Sequence, residues 1–303
     1  MTKFHKFKSR LKSKSINWFH ASAQGSKLYY LQESLRQAQI ANDYLMSILH
    51  QSRSEHPNPL LKSGRKFFSQ SDEDGILLEI LHRIGRDRGT CVEIGAGNGL
   101  ENNTLILACQ GWRTVWIDAQ PLLFDADCNP KILSHHEQFV DVENVVRLVN
   151  SGLSNLDANH ADLISIDVDG NDGYLAEALL ASGMRPEVIV IEINELLPPP
   201  IRFAQPYDAK HVWDKSKNSG WSLQSVIDLL QPFGYACVGC NAQTGVNAFF
   251  IRTELLANFS DVPRDPRDLF VGRSIHAYKY RDHRTQATPE LIEGIIRSAQ
   301  VRD

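Results

Sequence analysis

The 303-residue sequence has no apolar run that reaches the roughly 18 residues of a membrane-spanning helix, and no continuous hydrophobic region follows its amino-terminal lysines. We therefore expect neither a transmembrane segment nor a cleaved signal peptide. We expect the protein to be cytoplasmic. The net charge is only -4, which gives no global reason to expect nucleic acid as a partner. An apolar share of 42% and a charged share of 22% are ordinary for a globular chain, so disorder is not indicated.

Cysteine is scarce as well. Five cysteines make an odd count, and they lie mostly within predicted strands and helices rather than at the spacings of a disulfide framework. Cys237 and Cys240 form a CxxC pair, but no second pair and no nearby histidine completes a zinc set. We interpret the cysteines as reduced thiols that pack as small apolar side chains.

The charge that is present is unevenly distributed. Residues 1–22 form a basic, aromatic arm, in which the first 20 residues carry six lysines or arginines and no acid, interleaved with Phe4, Phe7, Trp18 and Phe19. Lysines of such an arm can meet anionic lipid while the aromatic rings sit at the membrane interface. Two interpretations stay open: peripheral contact of residues 1–20 with the inner face of the membrane, and a disordered solubilising tail.

Residues 23–52 are predicted as an amphipathic helix. Its core positions advance by alternating steps of three and four, as in the a/d seam of a coiled coil: Leu28, Leu31, Leu35, Ala38, Asn42, Leu45 and Leu49. A polar residue such as Asn42 at one seam position commonly fixes the register and the oligomeric state. The pattern predicts either a homo-oligomer through residues 28–49 or a helix packed on the rest of its own chain.

The rest of the chain alternates between strand-like and helical segments after a predicted linker at 53–66, which holds two prolines and several small polar residues. This alternation predicts crossover connections and a parallel sheet covered on both faces, in a domain at 67–256. The predicted strands are Thr90–Ile94, Arg113–Asp118, Glu137–Val140, Asp162–Asp167, Glu187–Ile193, Tyr235–Gly239 and Val246–Arg252. A helix at Ser222–Leu230 precedes the last two strands, which are too close for a crossover and should pair antiparallel. The extension at 257–303 has no assignable role.

The sharpest local motif is the glycine-rich turn that follows the first predicted strand. Gly95, Gly97 and Gly99 allow positive φ angles and a close approach of the backbone to a nucleotide-like ligand. The dinucleotide fingerprint would need a further glycine at position 100, where Leu100 stands. S-adenosyl-L-methionine has no pyrophosphate, and its ammonium and sulfonium charges suit the Glu93 carboxylate. The motif therefore favours this compound, with an NAD(P)-dependent oxidoreductase as the alternative.

Two further carboxylates follow the next two predicted strands. Asp118 closes the second strand, nineteen residues past Gly99, where it can accept hydrogen bonds from two ribose hydroxyls. The alternative is an ordinary turn aspartate at the end of a strand. Asp141 follows the third strand, where the adenine amino group is expected.

Acidic residues also concentrate after the fourth and fifth strands, at the edge where open α/β sheets bind ligands. The fourth strand ends in Ser165–Gly173, with three carboxylates in six residues, and the fifth strand is followed by Glu192 and Asn194. Asp167 is also a candidate residue for binding the methyl donor. Asp167, Glu192 and Asn194 would together bind Mg²⁺, or one of the two carboxylates would act as a general base. His211, in an irregular segment that would cover the site as a lid, is the third candidate base.

The segment Ser69–Gly75 has, by itself, the composition of a helix amino terminus. Together with the other motifs it forms an ordered series: SQSDEDGI (Ser69–Ile76), VEIGAGNGLENNT (Val92–Thr104), GWRTVWID (Gly111–Asp118), ISIDVDGNDGY (Ile164–Tyr174), VIVIEIN (Val188–Asn194) and GVNAFFIR (Gly245–Arg252). The series resembles the FkbM-type methyltransferases, in the branch associated with bacterial surface-polysaccharide and glycan biosynthesis, and covers Phe68 to about Glu254. The family commonly has glycine at the position of Ser71 and a bulkier aromatic residue near Gly173, so acceptor contacts are expected to differ.

The resemblance implies a Rossmann-like, seven-strand class I methyltransferase fold, S-adenosyl-L-methionine as the donor, and O-methylation of a sugar or glycan hydroxyl. It also implies that Gln70, Glu73 and Asp74 lie at the rim beside the methionine end of the donor, flanked by Asn102 and Asn103. The expected partner is a small-molecule or glycan acceptor. A non-catalytic reading stays open as well, in which a coiled-coil adaptor at the membrane surface binds the donor without transferring a methyl group.

Overall fold

The computed structural model describes residues 2–213 and 219–272, together with positions 289, 293, 296 and 297; of residues 2–26 it describes the helical backbone alone. The chain divides into two units, Met1–Ser52 and Arg53–Asp303. None of the described helices combines the length and the apolar character that crossing a membrane requires.

The first unit consists of most of helix α1 (Thr2–Glu55), which includes the helix predicted over 23–52. The seam leucines Leu28, Leu31 and Leu35 are 56%, 58% and 57% exposed. The helix therefore presents part of its apolar seam to solvent. The side chains of residues 1–22, on which the membrane interpretation depends, lie outside the described residues.

The segment predicted as a linker, 53–66, is instead a folded part of the second unit. A 3₁₀ helix at Pro59–Ser63 follows α1, and Leu60 within it is only 1% exposed. The Asn58 side chain accepts the N–H of Leu60 at 3.1 Å and donates to the carbonyl of Val238 at 2.7 Å. Proline marks the first turn of a helix here, where its missing N–H costs nothing, rather than an extended connection.

The second unit is built on a seven-strand mixed sheet, which confirms the predicted α/β, Rossmann-like fold. Its strand order is β3-β2-β1-β4-β5-β7-β6; β7 pairs antiparallel with both β5 and β6, and the other neighbours are parallel. The strands are β1 Thr90–Ile94, β2 Arg113–Asp118, β3 Leu133–Glu137, β4 Leu163–Ile166, β5 Val188–Glu192, β6 Tyr235–Cys240 and β7 Asn247–Arg252. The helices after α1 are α2 Glu73–Arg83, α3 Leu105–Cys109, α4 Val145–Asn155, α5 Asp172–Ala181, α6 Leu223–Leu230 and α7 Pro266–Leu269.

The bounds of the third strand differ from the prediction. We expected Glu137–Val140, but β3 is Leu133–Glu137 and, within the described part of the chain, pairs only with β2. An edge strand is partly exposed, and only Leu133 and Ser134 of its five residues are buried. The sequence of β3 is consequently polar. The prediction was placed too far along the chain because Phe139 and Val140, which follow β3, are apolar, but these two residues lie outside the sheet.

The centre of the sheet positions the candidate site. Every residue of β1 and β4 is buried, as are the first four of β5, which is why these strands are nearly continuous apolar runs. In the parallel register, Ile94 pairs with both Ile117 and Ile166, and Ile166 pairs with Ile191. The loops that leave β1, β2, β4 and β5 therefore emerge side by side at one edge of the sheet.

Part of the predicted carboxyl-terminal extension, 257–303, belongs to the same core. Phe259, Val262 and Leu269 are at most 3% exposed and pack in the main hydrophobic cluster. Gly245, in the connection between β6 and β7, stands against the backbone of Val271. The compact domain therefore extends past the predicted end at residue 256.

Candidate active site

Two adjoining cavities open at the carboxyl edge of the parallel strands. The larger, which we name the polar cavity, has a volume of about 250 Å³. The structure brings nine of the predicted site residues to it: Gln70, Glu93, Gly95, Gly97, Asn102, Asn103, Asp118, Asp167 and Glu192. Sequence motifs that are far apart in the chain thus meet in one place.

The second cavity, of about 170 Å³, shares Gly95, Asp118, Gln120, Asp167 and Asp169 with the first, so the two form one cleft. Apolar side chains make up part of its lining, and we name it the mixed cavity. They are Ile117, Phe139, Val140, Val168, Val212 and Trp213, and His211 stands beside them. The lining of the polar cavity is therefore mainly polar and acidic, whereas that of the mixed cavity is partly apolar and aromatic.

The three glycines of the turn after β1 differ in the structural constraint at each position. Gly95 has a φ of 90°, and a β-carbon on it would lie 1.7 Å from the carbonyl oxygen of Asp167. Gly97, with a φ of 56°, would direct a β-carbon into open space, and its N–H donates to Asp118 Oδ2 at 2.8 Å. Gly99 packs under three apolar or aromatic side chains and lines neither cavity. Gly97 is thus the glycine that leaves room for a ligand.

Asp118 stands where the two cavities meet. Its Oδ2 accepts the N–H of Gly97, and its Oδ1 accepts the N–H of Gln120 at 2.7 Å. These two backbone bonds fix the carboxylate, but each oxygen has a second acceptor position. The side chain can therefore accept two hydroxyl donors without losing the bonds that orient it.

Glu93, at the end of β1, joins the polar cavity to the start of α3. Its carboxylate accepts the N–H of Asn103 at 2.7 Å, the N–H of Thr104 at 2.8 Å and the Thr104 hydroxyl at 2.5 Å. Burial raises the pKa of Glu93 to about 7, although these three donors favour the charged form. The group is thus held in place by the helix terminus while it faces the cavity.

The loop before α2 contributes one residue to the cavity and two to its support. Gln70 lines the polar cavity, whereas Glu73 and Asp74 line neither cavity. Asp74 Oδ2 accepts three consecutive backbone N–H groups, and Glu73 accepts bonds from Ser71 and from Asn247 Nδ2. Burial raises the pKa of both carboxyls. These acids shape the loop and anchor it on β7.

Asp141 does not reach the cleft. Its Oδ1 accepts the N–H groups of Glu143 and Asn144 at 2.9 Å, which caps the turn leading into α4, and it lines neither cavity. Phe139 and Val140, just before it in the chain, line the mixed cavity instead. The apolar residues of this loop, rather than its acid, face the cleft.

Several buried polar atoms on the wall of the polar cavity have no hydrogen-bond partner within the described part of the chain. They are Glu101 Oε1, both amide atoms of Asn102, and Asn247 Oδ1. Asn102 and Asn247 are only 5% and 3% exposed. A buried polar group without a partner costs about 1–3 kcal/mol. The wall is thus suited to a ligand with several polar groups.

Three carboxylates converge between β4 and β5, and we name them the acid group: Asp167, Asp169 and Glu192. One oxygen from each lies within 4.8 Å of the others. Asp169 adopts a left-handed φ of 59°, and Asp172 holds the loop by accepting two of its backbone N–H groups at 2.8 Å. Burial, together with the charges of Asp172 and Asp169, raises the pKa of Asp167 well above its usual range, and Asp167 hydrogen-bonds Glu192.

Asn194, expected in the metal set, is replaced there by Asp169. The Asn194 amide donates to the carbonyl of Ser219 at 2.9 Å and accepts the N–H of Leu196 at 3.0 Å, so both of its ends brace the surrounding loop. His211 does reach the cleft, with its Nε2 3.1 Å from the carbonyl oxygen of Asp169. The segment that carries His211 therefore covers the acid loop.

Five polar residues of the polar cavity were not predicted: Asn98, Glu101, Gln120, Asp169 and Asn247. Glu101 and Asp169 lie in loops whose other residues were selected, and the strand-end rule that selected Asp167 applies to Asp169 as well. Asn247 begins β7 and pairs with Glu192 across the antiparallel ladder. The sequence predicts the β6–β7 hairpin, but β7 becomes a neighbour of β5 only in the folded sheet.

No protein-family model matches this chain, and no curated protein matches it.

Proposed function

We propose that the protein is an S-adenosyl-L-methionine-dependent methyltransferase that O-methylates a sugar or glycan hydroxyl. The observation that carries the proposal is the charge of the polar cavity. Among the described residues that line it, six are acidic and none is lysine, arginine or histidine: Glu93, Glu101, Asp118, Asp167, Asp169 and Glu192. Such a wall attracts the ammonium and sulfonium charges of adenosylmethionine and repels the diphosphate of a dinucleotide.

The types of side chain that line the two cavities support the same ligand. The polar cavity has unpartnered amide atoms at Asn102 for an amino-acid group, and Asp118, where the two cavities meet, offers free acceptor positions for a ribose diol. Phe139 and Val140 of the mixed cavity offer an apolar surface to the adenine ring. The strand order, with an antiparallel β7 between β5 and β6, also agrees with the sheet that the family resemblance implies.

Methyl transfer is an in-line displacement, so the protein mainly has to align the acceptor oxygen, the methyl carbon and the sulfur. The acceptor hydroxyl must also lose a proton. Candidate acceptors of that proton are the Asp167–Glu192 pair and His211, all on the wall of the cleft. A carboxyl whose pKa is raised by burial is the stronger base near neutral pH.

Calorimetric titration tests the donor first. We expect S-adenosylhomocysteine to bind and NAD not to bind. Asp118→Asn should weaken binding about tenfold or more, because it removes charged acceptors from the ribose hydroxyls. Asp141→Asn is the matched control, since Asp141 lines neither cavity. NAD binding in place of S-adenosylhomocysteine would favour the oxidoreductase.

Labelled donor and a panel of nucleotide sugars and glycolipid fragments test the transfer itself. We expect methylation of at least one hydroxyl acceptor by the wild-type protein. Asp167→Ala should abolish turnover and keep the fold, as judged by its circular dichroism spectrum. Donor binding with no transfer to any acceptor would favour the non-catalytic adaptor.

A further inference from the structure

The acid group has the spacing of a cation site. In a magnesium site with bonds of about 2.1 Å, ligand oxygens lie roughly 3 to 4.2 Å apart, and in a calcium site they lie up to about 5 Å apart. One oxygen from each of Asp167, Asp169 and Glu192 already lies within 4.8 Å of the other two. A single ion can therefore contact all three with little movement of the loop.

An independent observation points to a ligand at the same place. Asn247 is 3% exposed, lines the polar cavity and pairs with Glu192 across β5 and β7, so their side chains are direct neighbours. Its Nδ2 donates to Glu73 at 3.3 Å, and this bond identifies the nitrogen and the oxygen of the amide. Its Oδ1 has no partner within the described residues. A buried amide oxygen beside three carboxylates is ligand chemistry for a hard cation.

The surrounding charges require compensation. The walls of the polar cavity carry six carboxyls and, in the described part of the chain, no basic side chain. Asp172, directly behind the loop, adds a further carboxyl whose oxygens already accept backbone N–H groups. Carboxylates this close together cannot all ionise without a counter-charge, so either protons or a cation must neutralise them.

We propose that Asp167, Asp169 and Glu192 bind one divalent cation of the magnesium, manganese or calcium class, with Asn247 Oδ1 as a further ligand. Oxygen-only ligands favour these hard ions over zinc or copper. An ion held there would border the cavity, where it would bind neighbouring hydroxyls of a sugar acceptor and make them more acidic. This last step rests on the proposed function, whereas the cation site itself does not. With the carboxylates on the ion, His211 is the group left to take the proton.

The test measures cation binding on the full-length protein without donor or acceptor. After treatment with EDTA and buffer exchange, Mn²⁺ binding is followed by electron paramagnetic resonance, and Mg²⁺ and Ca²⁺ compete. We expect one site per chain and a higher melting temperature with the ion. Asp169→Asn should weaken Mn²⁺ binding at least about tenfold, because it removes one charged ligand.

Asparagine tolerates the left-handed conformation of Asp169, so this substitution keeps the loop shape. Asp157→Asn is the matched control: Asp157 is exposed, has a comparable φ of 52°, and follows α4 near the opposite edge of the sheet. It should bind Mn²⁺ like the wild type. Glu192→Gln is the second test variant, used if Asp169→Asn does not fold.

The outcomes separate this proposal from the donor proposal. Saturable Mn²⁺ binding that is lost in Asp169→Asn and kept in Asp157→Asn supports the site, even if S-adenosylhomocysteine does not bind. The absence of a saturable site, or equal affinity in the wild type and in both acid-group variants, overturns it. In that case S-adenosylhomocysteine binding by the same preparation would leave the donor proposal standing.

Discussion

Gly95 lies so close to Asp167 that a β-carbon on the glycine would come within 1.7 Å of the aspartate's carbonyl oxygen. The two residues follow the paired strand ends Ile94 and Ile166, and the N–H of Asp167 donates to the carbonyl of Ile94 at 2.9 Å. The turn that would hold the donor therefore rests directly on the loop that carries the acid group. A displacement of either loop must displace the other.

Gly95→Ala should consequently disrupt the site. The added methyl group has to push the β4 loop away, so we expect a lower melting temperature and loss of S-adenosylhomocysteine binding. Gly97→Ala is the comparison, because its β-carbon would meet no atom within 4 Å. Its positive φ should cost about 1–2 kcal/mol of stability. A Gly95→Ala protein with the wild-type melting temperature and donor affinity would contradict the close approach.

Glu93 predicts a specific dependence of stability on pH. Its pKa is raised to about 7 in the folded protein from an ordinary value of 4.5, and burial is the main cause. A raised carboxyl pKa means that the folded state holds the proton more tightly than the unfolded state. The protonated Glu93 therefore contributes about 3 kcal/mol to the free energy of unfolding below pH 4.5. This contribution is lost as the pH rises towards 7.

The measurement is urea unfolding of the wild type and Glu93→Gln between pH 4.5 and 7.5, without added divalent cations. The free energy of unfolding should fall less steeply with pH in the variant. The readout is the difference in slope, since the substitution also alters the hydrogen bonds to Asn103 and Thr104. Parallel curves for the two proteins would show that Glu93 is not the group responsible.

Asp72 connects three parts of the second unit. Its Oδ2 forms an ion pair of 2.7 Å with Arg53, and its Oδ1 accepts bonds from Asn241 Nδ2 and the N–H of Gln243. Asp72→Ala leaves the largely buried guanidinium without its partner, so we expect a loss of about 3–5 kcal/mol in urea unfolding. The exposed pair of Asp228 and Arg202 is the control, and Asp228→Ala should change stability little. Equal effects of both substitutions would contradict the structural role of Asp72.

The sheet and the main acids of the cleft could be predicted because buried parallel strands leave continuous apolar runs and their carboxyl ends share one edge. Asp118, Asp167 and Glu192 follow from that rule alone. The edge strand β3 could not be located, because its exposure permits the polar sequence Leu133–Glu137. Asn247 could not be assigned either, since its neighbour Glu192 is far away in sequence and meets it only through the β5–β7 pairing.

The segment 53–66 shows a different limit of prediction from sequence. Prolines and small polar residues occur both in exposed linkers and in tight helical turns, and only the burial of Leu60 distinguishes the two. Similarly, Asp141 is in the predicted loop, but a single acid after a strand can either cap the next helix or face a ligand. Its two bonds to backbone N–H groups decide for capping.

The basic arm predicts binding to anionic membranes. Each lysine or arginine near such a surface contributes about 1 kcal/mol, and residues 1–20 hold six of them. We expect the full chain to co-sediment with phosphatidylserine vesicles at low salt and not with phosphatidylcholine vesicles. A chain lacking residues 1–20 should stay in the supernatant. If the shortened chain sediments equally well, the arm does not bind the membrane.

The seam of α1 predicts a homo-oligomer, and we expect a parallel dimer in which a second copy of the chain covers the exposed leucines. Leu35 is 57% exposed at a seam position, whereas Ile40 is 51% exposed on the outer face of the same heptads. Leu35→Glu should convert the dimer to a monomer in sedimentation equilibrium, because it places two buried charges against each other. Ile40→Glu adds the same charge at a similar exposure and should remain dimeric.

Asn42 provides the further test of that arrangement. It occupies a seam position, where two asparagines of a parallel dimer can hydrogen-bond and disfavour other registers. Asn42→Leu should therefore raise the thermal stability of the assembly and allow species larger than a dimer, as seen by light scattering. A wild-type protein that stays monomeric at every concentration would instead indicate that the seam does not bind a second copy, and the Leu35 and Ile40 variants would then behave alike.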